Sequence, residues 1–330
     1  MLLSIIVPVF NQEKYLTNFF SKITSFYNVE HYFDFEVIFV DDGSTDNSRI
    51  LIEEFIKANI NINCKYLSKE NGGVSSARNF GIDSSNGDYL WLVDCDDDIN
   101  LQELNNVLSS IHLVQDVLIF DFYKEDTINK QSVRISGNFN SSLLCFEKVI
   151  KSGLLHPVWN KIYRKSLLIE HNIKFNEKYN YAEDLLFNLD VILNTDSVSF
   201  IHTPIYIYYI RDSSLSTKYI YNLPELIVCV ANKYRELHYS KRIDIDFVFK
   251  WIIIDSIKKI IANNLHQDNQ IDKCILDLLY IFDRLPVQKR FWKIYRKFSN
   301  MALMSFFIRV LIKLIHMYLK LKKILRLSGN

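Results

Sequence analysis

GDYLWLVDCDDD, residues 87–98, carries an apolar run straight into Asp94, Cys95, Asp96, Asp97 and Asp98. A short apolar run between a glycine and a charged cluster reads as a buried strand. Four carboxylates within five residues repel one another, which suits either a solvated turn or a divalent cation that needs hard oxygen ligands. Upstream, residues 4–9, 35–40 and 62–67 repeat the theme: short runs rich in Ile, Val, Leu and Phe, separated by helix-compatible stretches. Apolar strands alternating with helices predict an α/β fold with a mainly parallel sheet buried on both faces. In such sheets ligands bind beyond the carboxyl ends of the strands. Every polar cluster of interest lies at such an end.

The loops at those ends have chemistry of their own. SIIVPVFNQEKYL (4–16) places Pro8, which stiffens the strand end, before Asn11, which can cap a helix. EVIFVDDGSTDNS (36–48) ends its strand in Asp41 and Asp42. A carboxylate there can accept the ring N–H of uracil or sugar hydroxyl hydrogens; a well-capped turn is the plainer reading. KENGGVSSARNFGI (69–82) sets Asn71, Gly72 and Gly73 before a helix, with Arg78 one turn inside. Glycines admit close backbone approach, a helix N-terminus favours anions, and a guanidinium pairs with phosphate. The spacing is neither that of a P-loop nor that of a dinucleotide fingerprint.

Together these segments resemble the family 2 glycosyltransferases, inverting enzymes with a GT-A fold. The family's P-x-(F/Y)-N start, V-D-D-G-S-(T/S)-D strand end, N-x-G-x-(S/A)-x-A-R-N segment and D-x-D motif read here as residues 8–11, 40–46, 71–79 and 94–96. The clear resemblance covers about residues 3–100 and extends more loosely to about 215. It implies that Asp41 or Asp42 contacts the donor base, that Arg78 lies near the diphosphate, and that Asp94 and Asp96 hold Mn2+ or Mg2+ on it. Pro8, Val9, Phe10, Asn11, Glu13, Asn71, Gly72 and Cys95 complete the implied donor side. The Cys95 side chain is expected to point away, and Asp97 and Asp98 are left open between solvated and supporting roles. YAEDLLFNL (181–189) matches the family's E-D pair at a helix start, where the dipole favours a carboxylate. The resemblance makes Asp184 the base and Glu183 its orienting neighbour. HPVWNKIYRKSLL (156–168) is similar to a W-N-K-(L/I)-Y segment. It offers Trp159 to a sugar face and Asn160 and Lys161 either to the E-D helix or to phosphate, with simple core packing as the alternative for the tryptophan. Arg211 is a further candidate diphosphate contact.

Beyond the D-x-D segment the expected elements are a helix at 101–113, a strand at 116–123, polar chain to about 140, helices at 143–151 and 159–169, a helix from Glu183 and a strand at 201–210. The pattern from 223 to 284 is helical. With 330 residues, 49% hydrophobic and 23% charged, the chain can bury a full core. Its net charge of +1 hides an asymmetry: residues 284–330 hold 12 of the 39 basic groups and none of the 38 acidic ones, leaving the rest at −11. In that tail Arg309, Lys313, His316, Lys320 and Lys323 recur along one side of a helix, with aliphatics around the rest. The longest uncharged run is too short to span a bilayer, so the tail is expected to lie in the interface, with Trp292 and Tyr295 as anchors. Interleaved aliphatics and an acidic body argue against nucleic acid. Five scattered cysteines without zinc spacing suit a reducing cytosol.

The expected organisation is a catalytic domain over 1–215, split into a nucleotide-sugar half (1–100) and an acceptor half (101–215), then a helical region (216–283) and membrane-associating helices (284–330). The expected activity moves a sugar from a nucleotide donor, UDP-linked, to a lipid-linked glycan at the inner face of the cell membrane. The rivals are a sugar nucleotidyltransferase, which would show a Gly-rich basic loop where this chain has Asn11, Gln12 and Glu13, and an inactive nucleotide-binding membrane scaffold.

Overall fold

The computed structural model describes residues 1–28, 33–110, 114–127, 129–137, 146–211 and 222–241. The chain separates into two compact units, 1–218 and 219–330. The first is built on one mixed sheet. Strands β1 (Leu2–Val9), β2 (Asp34–Asp41), β3 (Cys64–Ser68) and β4 (Tyr89–Leu92) run parallel in the order β3-β2-β1-β4. The sheet continues through β8 (Lys161–Arg164), β6 (Val117–Asp126), β9 (Val198–Ile210) and the two-residue β5 (Asp98–Ile99), while β7 (Gln131–Ile135) forms a hairpin on β6. β8 lies antiparallel between β4 and β6, and β6 is parallel to β9 with a register shift around Asp121.

The parallel half forms as its sequence predicts, because its strands are buried on both faces and carry β-branched and aromatic residues. Helix α1 (Glu13–Tyr27) buries Leu16, Phe19, Phe20, Ile23 and Phe26, a stripe at helical spacing. Phe20 stacks on Phe55 of α2 (Ser48–Ala58) with centroids 4.2 Å apart, and both meet Phe39 of β2 edge-on. On β1, α3 (Val74–Ser84) approaches so closely that a Cβ at Gly81 would stand 2.4 Å from Ile6. Only glycine lets this helix sit at that depth, which sets where Arg78 enters.

The second half departs from expectation at three places. Residues 159–169 are not one helix: β8 comes first and α6 (Lys165–Glu170) follows. The run Lys161-Ile162-Tyr163-Arg164 is buried between two strands, so its apolar positions carry no periodicity that separates strand from helix. The chain after β6 was expected as plain polar loop and contains β7, and β5 is too short to leave a pattern. Helices α4 (Leu101–Ser110), α5 (Phe146–Ser152) and α7 (Glu183–Leu193) stand where the sequence places them. In the second unit α8 (Leu223–Lys241) is described, with Leu223, Leu226, Ile227, Val230, Tyr234 and Leu237 buried at helical spacing. The remainder of the 216–283 region and the basic tail of 284–330 lie outside the described residues. No helix among the described residues is long and apolar enough to cross a membrane.

Candidate active site

The carboxyl ends of β1, β2 and β4, the start of α3 and the start of α7 converge on a cluster of charges. Asp41 and Asp42 close β2 and are 2% and 3% exposed, yet they do different work. Asp42 accepts Lys69 Nζ at 2.8 Å and the Gly72 and Gly73 N–H groups at 2.9 and 2.7 Å. Its carboxylate thus occupies the position at the N-terminus of α3 that the sequence reading offered to phosphate through Gly72. That expectation is corrected for the loop: the Gly72 and Gly73 N–H groups are taken by the protein's own anion. Asp41 accepts two groups, the Ser44 N–H at 2.8 Å and the Tyr66 hydroxyl at 2.7 Å, and so keeps acceptor capacity. Asn71 is exposed above them, its amide donating to the Asp42 carbonyl at 2.9 Å.

The β1 end is tied to the β2 end. Asn11, left-handed at φ 55°, accepts the Thr45 N–H at 2.8 Å, and its own N–H donates to Ser44 Oγ at 3.0 Å. Glu13, implied to touch donor, instead accepts both the backbone N–H and the side-chain amide of Asn47 at 3.0 Å through Oε2. Its role is to join the starts of α1 and α2. Val9 is buried and its carbonyl accepts the Asp42 N–H, Pro8 is half-buried, and Phe10 projects from the same turn at 46% exposure.

The turn after β4 holds the acidic run. Asp94 and Asp96 are partly exposed, their side chains 30% and 34% accessible, and each meets an arginine: Arg78 Nη2 lies 3.1 Å from Asp94 and Arg211 Nη1 2.9 Å from Asp96. Arg211 also packs against the Tyr15 and Tyr209 rings. Asp97 is buried. It accepts the Tyr206 hydroxyl and the Tyr209 N–H at 3.0 Å, which makes it the clasp between this turn and β9. Burial, with Asp96 and Asp94 adding repulsion, pushes its carboxyl up to about 8. Asp96 is raised for the same reasons, against the pull of Arg211. Cys95 is buried, and burial pushes its thiol up well beyond the ordinary thiol range. Asp98 pairs with Lys22.

Arg78 connects this turn to the start of α7. At 4% exposure its guanidinium reaches Asp94, Asp184 Oδ1 at 2.6 Å and Glu183 at 4.0 Å, and lies over the Phe175 ring at 5.3 Å. Burial opposes its charge, but the three carboxylates outweigh that and raise its pKa. Asp184 is raised by burial and by Asp94, relieved by Arg78, and also accepts the Val158 N–H. Glu183, half-buried beside Asp184, is pushed up to about 7 by burial and by that neighbour, with Arg78 pulling the other way. Ala182, immediately before the pair, has φ 56°, a left-handed conformation that costs a non-glycine residue about 1–2 kcal/mol. Strain of this kind persists where the surroundings over-determine it, and it fixes the direction from which the E-D pair enters. Ser75 Oγ and Arg78 Nε, one turn apart on α3, are buried without a hydrogen-bond partner.

Two expectations for the W-N-K segment are corrected. Trp159 is 6% exposed, stacked on Tyr206 at 4.3 Å and Tyr208 at 5.5 Å, with Phe122 edge-on at 4.6 Å. Protein rings surround it, so it supports the site as core and leaves a sugar no platform. Lys161 is 1% exposed, and its ammonium donates to the Leu154 carbonyl at 2.6 Å and Asn160 Oδ1 at 2.8 Å, and to the Leu155 and Pro157 carbonyls. Burial drives its pKa well below the usual lysine range. It holds the 154–157 turn, next to the Val158 that meets Asp184, and does not reach a phosphate. The residues the sequence reading missed are Tyr206, Tyr66, Lys69 and Ala182. Tyr66 and Tyr206 lie in strands without a motif, Lys69 opens the quoted segment 69–82 ahead of the positions its motif marks, and a left-handed alanine leaves no mark in a sequence.

The donor set of the acidic turn fits a hard divalent cation. Asp94 and Asp96 are the accessible carboxylates, and they stand close enough that Asp94 adds to the burial that raises Asp96 and Asp97. Among the described residues no three His, Cys, Asp or Glu side chains form a ready cage, so such an ion would draw its other ligands from a bound diphosphate and water.

The model of the family described as glycosyl transferase family 2 matches residues 4–171. The uncharacterized glycosyltransferase EpsJ of Bacillus subtilis is 29% identical over 222 residues, 65% of this chain and 63% of EpsJ. The poly(ribitol-phosphate) beta-N-acetylglucosaminyltransferase TarS of Staphylococcus aureus is 30% identical over 216 residues, 63% of this chain and 35% of TarS. The matched region thus spans less than two thirds of either relative. Among solved structures, S. aureus TarS 1-349 in complex with UDP-GlcNAc superposes with a TM-score of 0.65 at 23% identity, covering 85% of this chain and 81% of that one.

Proposed function

Because the chain belongs to glycosyl transferase family 2, we propose that it transfers a sugar with inversion from a UDP-linked donor to a lipid-linked glycan in bacterial surface-polysaccharide assembly. The observation that carries this reading is the single guanidinium of Arg78, 3.1 Å from Asp94 on the donor turn and 2.6 Å from Asp184 on the base helix. An inverting displacement needs a leaving-group site and a base on opposite sides of one sugar, and Arg78 ties a carboxylate of the one to a carboxylate of the other.

In this reading the β2 end binds the nucleoside. Asp42 is committed to the Asn-Gly-Gly loop, so Asp41 accepts the ring N–H of uracil, with Phe10 and Asn71 as its exposed neighbours. Asp94 and Asp96 would hold Mn2+ or Mg2+. When bound, such an ion supplies positive charge to the oxygens of the departing diphosphate. Arg211 stands beside Asp96 to meet the same charge. Asp184 removes the proton of the acceptor hydroxyl as that oxygen bonds to the anomeric carbon and the bond to the nucleoside diphosphate breaks. A base of this kind contributes about 10²–10⁴-fold. Arg78 and the Val158 N–H keep Asp184 ionised and aimed, while burial keeps it more basic than a free aspartate. The polysaccharide setting is supported by the kinship to TarS, and the basic tail beyond residue 283 is proposed to keep the enzyme at the inner face of the membrane.

The test is to incubate the protein with UDP-, GDP- and TDP-sugars in Mn2+ or in EDTA and identify the released product. Release of UDP that needs Mn2+, with Asp184→Asn losing turnover by at least 10²-fold while still binding UDP, is expected. Formation of UTP and sugar 1-phosphate from a UDP-sugar when pyrophosphate is added would establish a nucleotidyltransferase instead, and no turnover of any donor would establish a binding scaffold.

A further inference from the structure

Asp41 does not stand alone at the end of β2. Its Oδ1 accepts the Ser44 N–H at 2.8 Å, and its Oδ2 accepts the phenol of Tyr66 at 2.7 Å. Tyr66 lies on β3, the outer strand of the sheet, directly across from Phe39. Residues two apart on a strand share a face, so Phe39 and Asp41 present the same side to which Tyr66 reaches. Ser68, two residues further along β3, has its hydroxyl beside the phenol and favours the phenol's ionised form. Ser68, Tyr66 and Asp41 therefore form a short chain of neighbouring polar groups, in which the hydrogen bond onto the carboxylate is that of Tyr66. Tyr66 belongs to none of the motifs at the strand ends.

The chemistry of this chain is directional. A phenol has one proton, and here it is given to Asp41, so Oδ2 is held as an acceptor. Ser44 holds Oδ1 in the same sense. Uracil presents N3–H, a donor, to such a group. Cytosine presents a bare N3, and two acceptors facing each other leave both unsatisfied. We infer that Tyr66 is a specificity-determining positioning residue, whose hydrogen bond holds Asp41 as a fixed acceptor that selects uracil over cytosine nucleotides. This rests on Asp41 reading the donor base. Without the phenol, Asp41 loses one of its two anchors and can turn away from the base.

The test is titration of UDP and CDP, in excess Mn2+, against the full chain and its Tyr66→Phe and Asp41→Asn variants, with thermal melting as the control for folding. Wild type is expected to prefer UDP, and Tyr66→Phe to shrink that preference about tenfold, the weight of one hydrogen bond to a charged group. Ser68→Ala, which removes only the far end of the chain, is expected to shift it in the same direction by a smaller factor, and it carries the test if Tyr66→Phe does not fold. A Tyr66→Phe protein that melts normally and keeps the wild-type preference, while Asp41→Asn loses it, overturns the inference and leaves Asp41 as base reader. If Asp41→Asn also keeps the preference, the base-reading role of Asp41 falls with it.

Discussion

Replacing Arg78 by methionine removes the charge that joins the donor turn to the base helix while keeping an apolar chain against Phe175. The guanidinium is 4% exposed and lies 2.6, 3.1 and 4.0 Å from Asp184, Asp94 and Glu183, whose side chains are 23%, 30% and 19% accessible. Removing one partner of a buried ion pair costs about 3–5 kcal/mol, because the other charge is left uncompensated. At pH 8 Arg78→Met should be destabilised by about that amount. The pH dependence separates charge from packing. Burial already raises Asp184 and lifts Glu183 to about 7, and loss of the cation raises both further. Between their unfolded and folded pKa values the folded variant binds more protons than the unfolded chain, so its stability increases as pH falls. The deficit relative to wild type should therefore shrink to about half or less at pH 5. Urea unfolding of both proteins at pH 5, 6, 7 and 8, with unchanged m-values, measures it. A deficit of equal size at pH 5 and pH 8 would show that Arg78 stabilises through its contact with Phe175, and the ion network would lose its claim to order the site.

Glu183→Gln should do the reverse. Its carboxyl is raised from 4.5 to about 7, so the folded state holds a proton that the unfolded chain releases, and stability falls as pH rises through that window. The neutral amide should be more stable than wild type above pH 7, by roughly 3 kcal/mol at most, and no more stable at pH 4, as read by thermal melting at the two pH values. Lys161→Met leaves the Leu155 carbonyl and Asn160 Oδ1 without this donor, while the Leu154 and Pro157 carbonyls keep the Asn160 and Asn188 amides. Each unsatisfied buried acceptor costs about 1–3 kcal/mol, so denaturant unfolding should show a loss of several kcal/mol while UDP affinity of the folded fraction stays within twofold. A selective loss of UDP affinity without loss of stability would restore Lys161 to the phosphate site.

The donor half was legible because its strands, loops and helix starts are each local. Asp41, Asp42, Arg78, Asp94 and Asp96 all lie within a few residues of a strand end or helix start, so the sequence places them on one edge of the sheet. What it could not give was their division of labour. Asp41 and Asp42 are equivalent as letters, and only the approach of the Asn-Gly-Gly loop spends one carboxylate and leaves the other. The same holds further along: Trp159 and Lys161 look like ligand groups in a polar-aromatic segment, but an unpredicted strand, β8, turns the segment into the middle of the sheet. A residue that looks functional because it is large and polar can be buried when its element is misread by a few positions.

The charges of the site also bear on what can enter it. Asp94, Asp96, Asp97, Glu183 and Asp184 face Arg78 and Arg211, and after burial it is the neighbouring carboxylates that raise Asp96, Asp97 and Glu183. A nucleoside diphosphate adds more negative charge to this place. Its entry is opposed unless something positive comes with it, and Asp94 and Asp96 are the carboxylates left accessible enough to receive that charge. On the proposed reading UDP should therefore bind more weakly in EDTA than in Mn2+, and equal affinity under the two conditions, read by titration, would remove the cation from the account.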